Sequence, residues 1–371
     1  MKMPAAVLWG TDQDYSVEEI ELDDPGHGEV RVKLAASGLC HSDEHVRDGK
    51  MTIESFPFLG GHEGAGVVEA VGPGVTYVEE GDHVVMGFIP ACGRCRSCAT
   101  GHSNICDLGA NLLAGWQISD GTSRHHARGQ DVRLMCLLGT FAPYTVVNQA
   151  SCVKITNDIP LDKAALVGCG VTTGWGSSVH AANVKAGESV VVIGIGGIGA
   201  AAVQGAAASG ARHVVAVDPV ESKRERAQGF GATHTAASVD EAMGLVQDIT
   251  WGHMADKVLI TVGVGDGDLL MPALDLTAKG GTCVNVSIAP SAQVDAKLPL
   301  FPFTLLNKTL KGAIFGEANI RHDIPHLTRL YADGQLNLDD MVTKTYSLEQ
   351  INEGYEAMRQ AENIRGVIVY D

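Results

Sequence analysis

The stretch SVVVIGIGGIG, Ser189–Gly199, decides how the rest of the chain is read. An apolar, β-branched run runs directly into Gly194-Ile195-Gly196-Gly197-Ile198-Gly199, which fits G-x-G-x-x-G, and an Ala-rich helical segment, Ala200–Ser209, follows. A strand before the glycines and a helix after them is the context a dinucleotide fingerprint requires. The first glycine allows the tight turn, the second lets backbone approach a pyrophosphate, and the third lets helix pack on strand. The helix N-terminus then offers unpaired N–H groups to the phosphates. Asp218 ends the next strand-like run, His213–Val217. A carboxylate there accepts hydrogen bonds from both adenosine ribose hydroxyls and repels a 2′-phosphate, so NAD is expected over NADP.

Outward from this stretch the alternation continues. A charged helix is expected over Glu221–Phe230, with later strands at Val258–Val262 and Thr282–Val286. Such βαβ alternation implies a parallel, doubly wound sheet, hence an α/β fold class. Residues before about Val171 read differently: Glu29–Ala35, Gly66–Ala70 and His83–Val85 are short, β-branched and punctuated by Gly and Pro. From about Phe315 the chain has amphipathic stretches around Ile324–Ala332 and Leu348–Arg359 and ends in an apolar strand, Gly366–Tyr370.

The chain has 371 residues, enough for two domains, with a net charge of −17. That charge argues against nucleic acid or an anionic membrane as partner. The most membrane-like run, Val190–Val203, carries four glycines and is too short to span a bilayer. The start, MKMPAAVLWG, shows no long apolar signal region, so a reducing, cytoplasmic location is expected. In that setting the nine cysteines are read as metal ligands or buried thiols rather than disulfides.

Four of them, Cys92, Cys95, Cys98 and Cys106, are spaced to wrap one tetrahedral ion. Four thiolates suit zinc and leave no open position, so the site is read as structural. The same thiolates would serve an iron–sulfur cluster or a redox pair, but no electron-transfer context accompanies them.

A second constellation is spread along the chain. Cys40 opens Cys40-His41-Ser42-Asp43, His62 lies in Gly60-Gly61-His62-Glu63-Gly64, and Cys169 lies in Gly168-Cys169-Gly170. Each alone would read as a buried thiol or a core histidine. With GHEGAGVV, CGRCRSC, GCGVTTGWGS, the glycine fingerprint, KGAIFG and INEGYEAMRQAENIRGVIV in that order, the whole chain resembles the zinc-containing alcohol dehydrogenases of the medium-chain type. The resemblance implies a β-rich, GroES-like catalytic domain over residues 1–170 and 315–371, with a Rossmann NAD-binding domain over 171–314. It implies two zinc ions per chain. Cys40, His62 and Cys169 would hold a catalytic zinc with a fourth position open to substrate, with Glu63 close behind it and Asp43 orienting His62.

The same resemblance implies alcohol oxidation to aldehyde by hydride transfer to NAD. Ser42 and His45 would carry the proton away, Thr173 would lie near the nicotinamide, Lys223 would hold the adenosine ribose and Arg365 would contact the pyrophosphate. Many relatives carry Arg beside the first ligand where this chain has His41, which weakens that cofactor contact. Phe88 and Ile288 fall where relatives line the substrate and nicotinamide, or they are plain core residues. Through AGWQISDGTSRHHARGQ and LGTFAPYTVV the chain is most similar to nitrosodimethylaniline-dependent nicotinoproteins, which keep NAD bound and pass electrons to an external acceptor. A thiol-dependent formaldehyde dehydrogenase, using glutathione or mycothiol, and a non-catalytic cofactor-binding relative remain as alternatives. A homo-oligomer, dimer or tetramer, is expected.

Overall fold

The computed structural model describes residues 1–371. The chain divides into two compact units, Met1–Cys169 with Asn319–Asp371, and Gly170–Ala318.

The first unit is built on strand Glu29–Gly38, EVRVKLAASG, whose valines and leucine alternate inward as period-two patterning requires. It pairs antiparallel with Gly64–Val71, with Tyr144–Asn148 and with the C-terminal strand Arg365–Val369. The last of these matches Val367 to Gly38 and Ile368 to Ser37, so residues over 300 positions apart lie side by side. His83–Met86 and Cys152–Lys154 extend the sheet on one side, and Val342–Tyr346 on the other. Val30, Val32, Leu34, Val68, Val84, Met86 and Val147 fill the core beneath it, each worth about 1.5–3 kcal/mol relative to exposure.

A second sheet begins with the antiparallel pair Lys2–Leu8 and Ser16–Leu22, which sequence reading passes over. Three helices matter below: α1 (His41–Arg47), α2 (Ile320–Ala332) and α3 (Ile351–Arg359). The expected amphipathic stretches near Ile324 and Leu348 are the last two of these.

The second unit is a six-stranded parallel sheet. Its order is His234–Ala236, His213–Val217, Ser189–Ile193, Ala255–Ile260, Thr277–Asn285, Thr309–Gly312. Numbered along the unit this is 3-2-1-4-5-6, the doubly wound Rossmann order. Ser189–Ile193 is buried at every position, which is why it reads as an unbroken apolar run. Two strands differ from their expected bounds. The fourth ends at Ile260 rather than Val262, and the fifth starts at Thr277 rather than Thr282. The fifth runs through Lys279-Gly280-Gly281, where Gly280 takes φ +71°, so its first half resembles a turn. Sequence reading also passes over the helix Val239–Ile249, which Ser238 caps by accepting from the Glu241 backbone N–H.

Candidate active site

Glu29–Gly38 leads through Cys40 into α1. Its neighbour Gly64–Val71 is preceded by the loop Gly60–Glu63, and Gly38 N donates to Glu63 O at 2.8 Å. This antiparallel pairing carries Cys40 to His62. Cys169 arrives at the end of a short helical turn, Ala165–Gly168. Gly168 packs so closely on the Met86 carbonyl that a Cβ would not fit. The two thiols, the imidazole and the Glu63 carboxylate offer ligand atoms within 4.8 Å of one another, and all four residues are buried.

Asp43 sits behind the imidazole. Its Oδ1 accepts from Gly61 N at 2.7 Å, and its Oδ2 lies 3.0 Å from His62 Nδ1. That leaves Nε2 as the ligand atom and fixes the ring. Hydrogen bonding from Cys169, and His62 nearby, hold the Cys40 thiol well below its usual range, whereas Cys169 is pushed up. Burial works against a charged His62, but Asp43 and Cys40 together raise it. Two cysteine sulfurs and one imidazole, all buried and within reach of one another, are a donor set that suits a zinc ion, with both sulfurs binding as thiolates. Glu63 is also paired with Arg365, whose guanidinium is buried against it. The Phe88 and His62 rings pack in a T-shape with centroids 5.9 Å apart.

Ser42 Oγ lies 3.8 Å from Cys40 Sγ. His45 is buried on the same helix, with its ring centroid 6.2 Å from that of exposed His41.

The four-cysteine lobe has a different construction. Cys92 Sγ and Cys98 Sγ are 3.9 Å apart, as are Cys95 Sγ and Cys106 Sγ. A tetrahedron with ~2.3 Å metal–sulfur bonds has edges of about 3.8 Å. The sulfurs accept backbone N–H bonds: Cys95 N and Arg94 N point to Cys92, Cys98 N to Cys95, and Cys92 N to Cys106. The Asp107 and Cys98 backbone N–H groups bring the Cys95 thiol down to about 6, while burial pushes Cys98 up to about 12. Arg321 of α2 holds the lobe's entrance, donating from Nε and Nη2 to the Ala91 carbonyl at 3.2 and 3.1 Å. Cys136, Cys152 and Cys283 join neither cluster, and burial pushes each thiol up to about 12.

In the second unit the glycines divide the labour the fingerprint implies. Gly194 adopts φ +96°. A Cβ on Gly196 would meet nothing within 4 Å, so the space above it is open, whereas one on Gly199 would overlap the Gly194 carbonyl. The open cradle at the start of the helix Gly197–Ala208 fits a pyrophosphate. Asp218 is tied to the loop, with Oδ2 accepting from Ile195 N at 2.8 Å and Oδ1 from Val220 N at 2.9 Å. Lys223 lies on the following helix, Glu221–Gly229. Its neighbour Arg224, which sequence reading passed over, donates to the carbonyls of Asp218 and Pro219 at 2.8 and 2.9 Å. Nothing in ESKRER distinguishes it from a solvated cation. Thr173 is buried in the helix Gly170–Gly176, and its carbonyl accepts from Ser177 Oγ at 2.6 Å. Ile288 is 44% exposed, so it is not a plain core residue.

A metal-ligating, GroES-like unit and a dinucleotide-binding unit on one chain define a zinc-binding dehydrogenase. Residues 26–157 match the alcohol dehydrogenase GroES-like domain, and residues 197–333 match the zinc-binding dehydrogenase domain. The chain is 52% identical over 370 residues to alcohol dehydrogenase B of Mycobacterium tuberculosis, covering 100% of this chain and 99% of that one. The identity and coverage are the same for the NDMA-dependent alcohol dehydrogenase of Amycolatopsis methanolica. The crystal structure of benzyl alcohol dehydrogenase from Acinetobacter calcoaceticus superposes with a TM-score of 0.92 at 30% identity, over 100% of each chain. The chain belongs to the zinc-dependent alcohol dehydrogenases, enzymes that oxidise alcohols by hydride transfer to NAD. The family resemblance and fold class read from sequence are borne out. No helix is long and apolar enough to cross a membrane.

Proposed function

We propose that the chain oxidises a small alcohol to its aldehyde at the Cys40–His62–Cys169 site, and that it retains NAD between turnovers. What carries this reading is that these three residues and Glu63, all buried, bring their ligand atoms within 4.8 Å of one another, with Asp43 Oδ2 3.0 Å from His62 Nδ1. Cys40, His62 and Cys169 would hold one zinc, and Cys92, Cys95, Cys98 and Cys106 a second. When bound, zinc polarises the alcohol oxygen and NAD accepts the hydride.

The chain's own groups do the rest. Ser42 Oγ, beside Cys40, would accept the alcohol proton while giving up its own hydroxyl proton, which ends on the His45 imidazole. Such assistance is worth ~10²–10⁴-fold. Phe88 packs on the ligand imidazole and keeps water from it. Arg365 pairs with the Glu63 carboxylate and offsets its charge beside the ligand set. His41, Thr173, Lys223 and the Gly194–Gly199 turn bind the cofactor, and Asp218 selects NAD by receiving the ribose hydroxyls.

Similarity to the NDMA-dependent relative supports the proposal that NAD is retained. The cofactor would be reduced by alcohol and reoxidised in place by an external acceptor. Purified protein should release about one nicotinamide dinucleotide per chain on denaturation, one fingerprint making one site. Alcohol alone should give a single burst of bound NADH, and a nitroso dye should restore turnover. Protein that purifies free of nucleotide and turns over with added NAD refutes retention. Turnover that requires glutathione or mycothiol with formaldehyde refutes the alcohol reading. We also propose a homo-oligomer in the cytoplasm, tested by sedimentation and cell fractionation.

A further inference from the structure

Helix α1 spans only His41–Arg47, and its N-cap Cys40 makes no side-chain capping bond. A helix that short does not hold itself in water. Yet it carries His41, Ser42 and His45, so contacts from outside must fix its place.

Asp43 supplies one such contact, through Gly61 N and His62 Nδ1. Glu44, the next residue, points about 100° further round the axis. It is 5% exposed, and a carboxylate so buried needs partners. It has three donors: Arg47 Nε at 2.8 Å, Arg47 Nη2 at 2.7 Å and Arg359 Nη1 at 2.9 Å. Arg47 lies on α1 itself and moves with it. Arg359 is the external partner, at the end of α3.

The helix is itself anchored, from its first turn. Asn352 Oδ1 accepts from Tyr15 N at 3.0 Å, and Asn352 Nδ2 donates to Tyr15 O at 2.9 Å. Tyr355 stacks on Tyr15 with centroids 5.6 Å apart. Arg359 Nε and Nη2 bind Glu356 on the same helix, at 3.0 and 2.6 Å, which aims Nη1 at Glu44.

Asp12 N also donates to the Arg47 carbonyl at 2.7 Å and Val46 packs in the core, so the last turn is held as well. The side-chain bonds on Asp43 and on Glu44 fall along two lines about 100° apart, and together they resist rotation of the helix about its axis. We propose that Arg359, acting through Glu44, is a positioning residue for the proton step: it sets the rotation of α1 at which Ser42 and His45 face the site. This rests on the proton-relay reading of Ser42 and His45. Arg359 touches no reacting atom, and its planar fork, shared between Glu356 and Glu44, is not one Lys reproduces fully.

The test compares Arg359→Gln, Arg359→Lys and His45→Gln in the holoenzyme. Arg359→Gln leaves Glu44 both bonds from Arg47, so the fold should survive, and Arg359→Lys covers the case where it does not. Zinc content, alcohol KM, the single-turnover rate of nicotinamide reduction and its solvent deuterium isotope effect are measured. Arg359→Gln should slow reduction about tenfold, a part of the ~10²–10⁴-fold such proton assistance supplies. It should raise the isotope effect and leave zinc and KM unchanged. Arg359→Lys should recover part of the rate, and external imidazole should recover part for Arg359→Gln and His45→Gln alike. If Arg359→Gln keeps the normal rate and isotope effect while His45→Gln is slow, the positioning role is overturned and the relay stands. If Arg359→Gln loses rate only together with zinc, the pair is merely structural and the proposal fails. If both variants behave as the unmodified enzyme, the relay reading fails and takes this inference with it.

Discussion

The two sulfur-rich clusters differ in where their ligands come from. Cys92, Cys95, Cys98 and Cys106 occupy one short stretch, and the backbone of that stretch supplies the N–H groups that face the sulfurs. Cys40, His62 and Cys169 come from three segments, brought together by pairing Gly38 with Glu63 and by seating Gly168 on Met86. The lobe is supported mostly by main chain, and the buried site by side chains: Asp43 on His62, Arg365 on Glu63. A main-chain site tolerates change around it but fails with any ligand. A side-chain site has partners that can be removed singly.

The largest expected effect breaks that comparison most directly. Cys169→Ala should abolish turnover, by about 10³-fold or more, since a metal at such a site supplies several kcal/mol of charge stabilisation. Metal analysis should still find one zinc, in the lobe. Loss of both would mean the clusters are not independent.

Cys98→Ala should act on stability instead. Structural zinc binding is linked to folding, with apparent free energies of about 10–16 kcal/mol in zinc-finger peptides. Protease cleavage within Cys92–Cys106 and a lower Tm are expected, with zinc retained at the buried site. Unchanged Tm and protease resistance would remove the structural role.

Asp43→Asn should cost about 10–100-fold in zinc affinity or kcat, the usual result of removing a histidine's orienting carboxylate. No single substitution of a non-ligand in the lobe should do the same. Arg94→Ala, on its exposed turn, should stay within about 0.5 kcal/mol. A lobe variant as damaging as Asp43→Asn would erase the distinction.

The smallest effect is expected from pH. Without metal, burial keeps Cys98 at about 12, so it holds a proton at neutral pH that zinc must displace. Lobe affinity should therefore rise with pH, about tenfold per pH unit for each proton released. Competition with a chromophoric chelator at pH 6 and pH 8 measures it, and a flat profile would mean the sulfurs are already thiolates.

Legibility followed the same division. The lobe and the glycine fingerprint are contiguous, and their chemistry depends on spacing within one turn or loop. Cys40, His62 and Cys169 carried no joint signal of their own, and only resemblance to a family connected them. The strand Lys2–Leu8 was missed because Met3-Pro4-Ala5-Ala6 lacks the β-branched alternation that marks a half-buried strand. Helix Val239–Ile249 was missed although Ser238 and Glu241 sit at capping-box spacing.

The Rossmann unit, its glycine turn and the four-cysteine lobe were legible in the sequence alone. Those depend on local backbone geometry: where glycine permits a turn, where a β-branched run must be buried, how far thiolates lie along one loop. The pairing of Arg365 with Glu63 and the reach of Arg359 to Glu44 were visible only in the tertiary structure. Each of those is a buried charge satisfied by a partner distant in the chain. Such a partner is chosen by which strands and helices pack together, and residue spacing does not encode it.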